Sequence, residues 1–276
     1  MTGIIHQCAR AVLGLVAFPL LIACSVKEDR LECPVYVTVL TDRFVRQGMN
    51  EGQVSFSDDH RLEQEDISFL AFLREGYQQA CSREYARAAV LGAADNYYLD
   101  EDAVRVYQGR PAGRLWAYGE TFSAKRDEYV IDAEPHKQYC LVQFLFDGAP
   151  AAPSDYVWRF RIRAACSGLN IYTLEPLEGE YSACVGPDAR GEWYGVIPRQ
   201  KSNDLQLEVY LPDPDDERSG RTDYVIDLGA RFEAMGYDWS DTDLRDVTVK
   251  VGFTYAGVTI QVSDWVGDDH YKNIEI

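Results

Sequence analysis

The chain has 276 residues, of which 46% are hydrophobic, and a formal net charge of −18 from 45 acidic and 27 basic side chains. This length suits one or two domains and is sufficient to bury a hydrophobic core. Because an acidic surface repels phosphate groups, we expect no nucleic-acid partner and no adhesion to anionic lipid through basic patches.

The only long apolar run of the sequence lies near its N-terminus. Residues 11–23 carry no charge, which is too short for a transmembrane helix but fits the apolar region of a secretory signal. The run ends in Leu21, Ile22, Ala23 and Cys24, the pattern of a bacterial lipoprotein signal. The sequence therefore predicts cleavage between Ala23 and Cys24 and lipidation of the Cys24 thiol. Two or three acyl chains would anchor the protein stably to the membrane. An ordinary signal peptide with a chance cysteine is the alternative.

The mature chain would begin with a polar segment, residues 24–32, which is typical of an unstructured tether. Its Lys-Glu-Asp-Arg stretch at residues 27–30 resembles the export signal that sends lipoproteins of Bacteroidota to the outer face of the outer membrane. Five cysteines follow, and an odd number leaves at least one thiol free or paired between molecules. Their pairing is left open, although Cys140 lies in an apolar run and is predicted to be a buried thiol. The five are Cys33, Cys81, Cys140, Cys166 and Cys184.

Short apolar or alternating runs separated by Gly, Pro, Asp and Asn predict an all-β fold, because these are the signals of strands and turns. One stretch, residues 82–94, is rich in helix formers and predicts a helix. A Pro-rich segment at 147–154 indicates a domain break, so we expect β-sandwich domains at residues 33–160 and 161–276. The predicted strands are residues 35–40, 67–73, 129–133, 139–146, 156–162, 205–211, 224–228, 247–255 and 258–262.

Motifs of catalysis are missing from the sequence. It contains no GxSxG, no HExxH, no phosphate-binding loop and no dinucleotide fingerprint, and its four His residues lie far apart. Acidic clusters at residues 213–217, 238–246 and 264–269 match no complete calcium loop and are interpreted as solvated turns. We therefore expect no enzymatic activity, no catalytic residue, no bound metal and no cofactor. Trp193, Trp239 and Trp265 could stack on sugars if exposed, but core packing is the favoured interpretation.

Several stretches resemble one known family. Residues 24–34, Cys-Ser-Val-Lys-Glu-Asp-Arg-Leu-Glu-Cys-Pro, run directly into a Val/Thr-rich strand, as at the start of the FimB-type fimbrial anchor lipoproteins of Bacteroidota. The resemblance extends to residues 67–73, 129–144, 224–228 and 238–249, although His136 stands where the family more often has Gly. It ends with the strand and Trp at residues 258–265. The resemblance implies two transthyretin-like β-sandwich domains, no enzymatic activity, and a role in holding a fimbrial polymer to the outer membrane and limiting its length.

The resemblance also implies how such a subunit binds its partners. Fimbrial subunits of this kind add an extended strand of one subunit to the open sheet of its neighbour. The expected partners are fimbrillin subunits, together with the outer membrane through the lipid on Cys24. The alternatives are a glycan-binding surface lipoprotein, and a stalk or tip fimbrillin whose N-terminal strand is removed by a protease. Candidate strand-exchange residues lie in the last strand and in the tail: Val258, Ile260, Val262, Ile274 and Ile276.

Overall fold

The structure, a computed structural model, describes residues 33–123, 126–147, 159–254 and 257–265. More than half of these residues lie in β-strands, and the rest include two short α-helices and one short 3-10 helix. The prediction of an all-β fold built from two β-sandwiches is confirmed.

Ten strands form before residue 139. Helix α1 (Asp42–Arg46) follows the first strand, and the 3-10 helix Phe69–Phe72 follows the third. The strands are β1 (Val35–Leu40), β2 (Glu51–Asp58), β3 (Leu62–Ser68), β4 (Tyr77–Cys81), β5 (Ala86–Gly92), β6 (Tyr97–Asp100), β7 (Ala103–Val106), β8 (Trp116–Phe122), β9 (Glu128–Asp132) and β10 (His136–Lys137).

Eight more strands follow, with helix α2 (Leu228–Ala234) after the sixth of them. They are β11 (Tyr139–Asp147), β12 (Arg159–Asn170), β13 (Pro176–Pro187), β14 (Trp193–Pro198), β15 (Leu205–Asp213), β16 (Asp216–Asp227), β17 (Val247–Thr254) and β18 (Gly257–Asp264).

The first sandwich packs a sheet of order β4-β1-β9 against a sheet of order β10-β8-β5-β2-β3. In β1, alternate residues Val35, Val37 and Val39 are fully buried. This follows from the two-residue period of a strand, which points every second side chain at the same face. These valines pack with Val90 and Ile131 in one hydrophobic core.

The second sandwich is built around strand β13, which pairs with β12 along most of its length and with β14 at its last two residues. The strand order on one side is β16-β15-β12-β13, and on the other it is β13-β14-β11-β17-β18. The hairpin β6–β7 extends the first of these sheets by pairing with residues 168–170 of β12.

The two sandwiches repeat the same strand order. The row β4-β1-β9 of the first corresponds to β14-β11-β17 of the second, and β8-β5-β2-β3 corresponds to β16-β15-β12-β13. Strand β1 runs parallel to β9 and antiparallel to β4, and strand β11 likewise runs parallel to β17 and antiparallel to β14. Among the strands of the second sandwich, β18 has no counterpart in the described residues of the first.

Apolar packing joins the two sandwiches. Ala89 and Leu91 of β5 point away from the first core and are buried in the cluster that contains Ile171. Ser55 Oγ and Tyr172 OH lie 2.8 Å apart across this contact. Gly119 lets the two sandwiches approach each other closely, because a Cβ at that position would lie 2.5 Å from the carbonyl oxygen of Ile171.

A polar contact also joins the sandwiches at strand β10, next to the acidic cluster at residues 238–246. The backbone N–H of Lys137 donates to Asp243 at 2.7 Å, and the Lys137 ammonium donates to Asp246. Asp246 also accepts the backbone N–H of Leu141 at 2.8 Å. Part of this cluster therefore serves as a structural junction rather than a solvated turn.

Two predicted elements differ from the structure. The predicted helix at residues 82–94 is wrong, since strand β5 occupies Ala86–Gly92 between β2 and β8. Burial in the middle of a sheet outweighs the high helix propensity of its alanines. The predicted strand at residues 67–73 is half wrong, because β3 ends at Ser68 and the 3-10 helix places Phe69 in the core, 5.1 Å from the Phe44 ring.

The predicted domain boundary between residues 160 and 161 stays a prediction. Strand β11 lies before that boundary in sequence, but it pairs with β14 and β17 of the second sandwich. Strand β12 spans it, from Arg159 to Asn170. The hydrogen-bonded sheet of the second sandwich therefore includes residues on both sides of position 160.

Candidate strand-exchange surface

Strand β18 is an edge strand at the C-terminal end of the described chain. It pairs antiparallel with β17 along its whole length, from Gly257 opposite Thr254 to Asp264 opposite Val247. On its other side it pairs with no strand of the described residues. Its outer backbone groups are therefore free to pair with a further strand.

The composition of β18 sets it apart from the edge strands β3 and β16. Residues 257–263, Gly-Val-Thr-Ile-Gln-Val-Ser, carry no charge. Edge strand β3 carries Glu63, Glu65 and Asp66, and edge strand β16 carries charges of both signs along its length. Charged side chains on an edge discourage pairing with another chain. Strand β18 lacks that protection over seven consecutive residues.

The candidate residues Ile260 and Val262 lie on the inner side of this edge. Ile260 pairs with Val251 and is buried, while Val262 pairs with Val249 and is half-buried. A cleft of about 400 Å³ lies between α2 and this strand. The cleft is lined by Arg231, Ala234, Met235, Lys250, Ile260, Gln261, Val262 and Ser263. The cleft beside this strand is therefore lined by apolar and polar side chains in equal number.

The other candidate residues are less completely described. The backbone of Val258 belongs to β18 and pairs with Phe253. Ile274 and Ile276 of the tail lie outside the described residues, as do Ala23 and Cys24 of the predicted lipidation site. Over the part of the chain that the structure covers, no helix is long and apolar enough to cross a membrane.

The N-terminal strand is held firmly at the point where the predicted tether would join it. The Arg83 side chain is buried and donates to the backbone carbonyls of Cys33, at 3.2 Å, and Arg126, at 2.8 Å. It also donates to the Asp127 carboxylate at 2.7 Å. This guanidinium joins the start of β1 to the start of β9. Nothing in the sequence singled out Arg83, because its partners lie far away along the chain.

A second buried arginine, Arg199, lies next to β10, at the polar contact between the two sandwiches. Its guanidinium donates to Gln138 Oε1 at 2.7 Å and to the carbonyls of Trp239 and Thr242 at 2.5 and 3.0 Å. Burial lowers the pKa of the Arg199 guanidinium. The four groups form a fixed polar network, and sequence reasoning missed it for the same reason as Arg83.

The tryptophans that could have formed a sugar-binding platform are mostly packed inside. Trp193 and Trp239 are each 6% exposed. The Trp239 indole N–H donates to Asn203, and Trp193 packs edge-on against Phe160 at 5.7 Å. Trp265 is half-buried and stacks on Tyr194 at 6.2 Å. Stacking on a sugar needs exposed ring faces, so Trp193 and Trp239 do not form such a site.

The cysteines and acidic residues show no assembled chemistry in the described part of the chain. No group of three or more His, Cys, Asp or Glu residues has a metal-binding arrangement there. The prediction of a buried thiol at Cys140 is confirmed, and burial raises its pKa to about 12. None of the five cysteines forms a disulfide; Cys81, Cys140 and Cys166 are buried, whereas Cys33 and Cys184 are exposed.

Comparison with known proteins supports the fold. Neither a family model nor a curated protein matches the sequence. Among solved structures, the fimbrial anchor protein Mfa2 from Porphyromonas gingivalis matches 84% of this chain and 98% of its own, with a TM-score of 0.54 and 13% identity. The chain shares its fold. A candidate adhesin from Bacteroides thetaiotaomicron matches with a TM-score of 0.56 and 13% identity, over 86% of this chain and 98% of its own. A candidate polysaccharide-binding protein from the same species matches with a TM-score of 0.52 and 11% identity, over 85% of this chain and 98% of its own.

Proposed function

We propose that this chain is the lipid-anchored base subunit of a fimbria. It joins the fimbrial polymer to the outer membrane by β-strand exchange and limits the length of the polymer. In this role the chain is not an enzyme and needs no cofactor. Its partners are fimbrillin subunits, and its attachment to the membrane is the lipid on Cys24.

The placement of the two ends of the chain carries this proposal. The strand that follows the predicted lipid, β1, lies between two neighbours in the centre of its sheet, with its inner side chains fully buried. The last strand, β18, lies at an uncharged edge. A base subunit needs this arrangement, because one end must hold to the membrane while the other remains open to a partner strand.

The structural neighbours support a fimbrial role over the alternatives. Mfa2 is a fimbrial anchor by its own description, and its fold extends over most of this chain. A stalk subunit would have to lose β1, whose start Arg83 joins to the start of β9 by one hydrogen bond to Cys33 and two to Arg126 and Asp127. The glycan-binding alternative is supported by one neighbour, the candidate polysaccharide-binding protein. It is weakened by the burial of Trp193 and Trp239.

Deletion of residues 271–276 tests the proposal and the assignment of the tail as donor strand. We expect the truncated lipoprotein to stay in the outer membrane while fimbriae are released into the medium, because the donated strand is lost. The matched substitutions are Ile274→Ser with Ile276→Ser, expected to release fimbriae, and Glu275→Gln, expected to retain them. The Ile side chains lie two residues apart and would face one side of a strand.

Two outcomes would count against different parts of the account. If fimbriae stay attached after the deletion, the tail is not the donor, and β18 itself becomes the candidate. If cells that lack the whole chain keep attached fimbriae of normal length, the base-subunit function is wrong.

A further inference from the structure

The repeated strand order reveals a second open edge, on the first sandwich. In the second sandwich, β18 covers the outer side of β17. In the first sandwich, the corresponding strand β9 pairs with β1 on one side and with no described strand on the other. The position that β18 fills in one sandwich is therefore unfilled by the described residues of the other.

The backbone of β9 shows which groups face this edge. Tyr36 N–H donates to the Asp127 carbonyl at 3.0 Å, and Tyr36 lies opposite Glu128 in the parallel pair. In a parallel ladder, alternate residues direct both backbone groups to the same side. Residues 127, 129 and 131 therefore face β1, whereas the N–H and C=O groups of Glu128, Val130 and Asp132 face outward.

Apolar side chains are exposed at this edge between the charged residues Glu128 and Asp132. Val130 is 61% exposed, and Tyr36 on neighbouring β1 is 57% exposed. Tyr129 points inward but is only half-buried, stacked on Phe122 with ring centroids 4.6 Å apart. In the second sandwich, the inward residues Val249 and Val251 of β17 are fully buried.

Carboxylates of the facing sheet reach both outer strands of the sheet β4-β1-β9. At β4, Glu65 of β3 accepts the Tyr77 hydroxyl at 2.6 Å, and Glu63 accepts the Gln79 amide. At β9, Glu120 of β8 accepts the Tyr129 hydroxyl at 2.9 Å. Carboxylates placed at an edge resist the addition of another strand, and β4 has two of them where β9 has one.

We propose that the outer edge of β9 accepts an extended strand of a partner subunit, running antiparallel to β9 as β18 runs antiparallel to β17. The partner strand carries aliphatic residues at alternate positions, which cover Tyr129 and Ile131 as Ile260 and Val262 cover β17. It carries a basic residue near its C-terminal end, opposite the exposed Glu128. A basic residue is favoured because the chain has a net charge of −18. This edge is distinct from β18 and the tail, so it adds a second binding surface to the proposed function.

The probe for this surface is a synthetic peptide copied from the strand that fills the equivalent position. It has the sequence of residues 257–264 with Ser263→Lys. When Val262 lies opposite Tyr129 and Ile260 opposite Ile131, residue 263 lies opposite Glu128, so the lysine faces that carboxylate. The control peptide keeps Ser263. Binding to the purified full-length lipoprotein in detergent is measured by fluorescence anisotropy. We expect the lysine peptide to bind more tightly than the serine peptide.

The decisive variants change only the outward face of β9. Val130→Pro removes the outward N–H, and proline is tolerated on an edge strand when that N–H faces solvent. We expect Val130→Pro to weaken peptide binding by about tenfold or more, through the lost ladder bond and the bulk of the ring. Val130→Thr keeps the N–H and is expected to bind as the unchanged protein does.

Amide hydrogen exchange on the unchanged protein gives a readout that does not depend on how the variants fold. The peptide is expected to protect the Val130 amide while the amides of β17 keep their exchange rates. The proposal is overturned if neither peptide binds, if Val130→Pro binds as well as Val130→Thr, or if the peptide instead displaces β18 and changes exchange in β17. None of these outcomes depends on fimbriae, so they are separate from a failure of the base-subunit function.

Discussion

The two sandwiches have the same strand order but differ in how the sheet that contains the first strand is closed. In the second, β17 is enclosed between β11 and β18; in the first, the equivalent β9 has a described neighbour on one side. One outward side chain of each strand illustrates the difference. Thr248 of β17, beside Gln143, is fully buried, and Val130 of β9, beside Thr38, is 61% exposed. The comparison shows that one repeated strand order can place the equivalent strand inside a sheet in one sandwich and at the edge of the described sheet in the other.

The largest expected effect is a difference in the free energy of unfolding between variants of Thr248 and Val130. Thr248→Asp places an unpaired charge in a buried site and should lower the free energy of unfolding by about 3 kcal/mol or more. Val130→Asp places the same charge in an exposed site and should change it by no more than about 0.5 kcal/mol. Urea unfolding of both variants measures the difference. Equal losses would mean that β9 is as enclosed as β17, and the contrast between the sandwiches would be wrong.

A smaller effect is expected from two turns at corresponding places. At the β2–β3 turn, Asp58 Oδ1 accepts the N–H groups of residues 60 and 61, at 2.9 and 3.1 Å. At the β12–β13 turn, Asn170 Oδ1 accepts the N–H groups of Tyr172 and Thr173, both at 3.0 Å. Burial alone would raise the pKa of Asp58, but these N–H donors and that of Ser82 hold the pKa below its usual value. The Asp58 carboxylate can therefore be protonated at low pH, whereas the Asn170 amide cannot.

The sign of the pH effect follows from the lowered pKa. Asp58 stabilises the fold above its unfolded pKa of about 4, and this stabilisation is lost as the pH falls through the lower folded value. Asp58→Asn should cost about 1 kcal/mol at pH 7, and this cost should become smaller as the pH falls. Asn170→Asp should give the second turn the same acid sensitivity. Denaturant unfolding at pH 7 and pH 3 measures both, and a cost of Asp58→Asn that does not change with pH would contradict this account.

The sequence predicted most strands but not their neighbours. Alternating valines and isoleucines identified β1, β17 and β18, because a strand with one buried face carries a two-residue period. Strand β5 was mistaken for a helix, since Ala-rich segments favour helices unless a sheet surrounds them. The 3-10 helix was missed because residues 67–73 form one apolar run, which continues past the end of β3 at Ser68. The repeated strand order cannot be read from the chain, because it depends on pairings between distant segments.

The sequence predicted only part of the candidate surface, again because the neighbours of a strand cannot be read from the chain. The alternation of Val258, Ile260 and Val262 predicted a strand, and an uncharged strand is a plausible donor. That it lies at an edge follows only from the order of the whole sheet. The open edge of β9 had no signal at all, because Glu128 and Asp132 look like ordinary ends of a core strand. Arg83 and Arg199 were likewise missed, since each acts on backbone carbonyls far away in sequence.

The central claim is that this chain forms the base of a fimbria, and its most direct test is the composition of the assembly around it. The full-length protein, tagged at an internal loop, would be purified from mildly solubilised outer membranes and analysed without boiling. The account predicts a ladder of one fimbrillin with this protein present in substoichiometric amounts and still carrying its residues 24–40. A lone lipoprotein, or one that brings down only sugar-uptake proteins, would contradict the base-subunit function and favour a glycan-binding role.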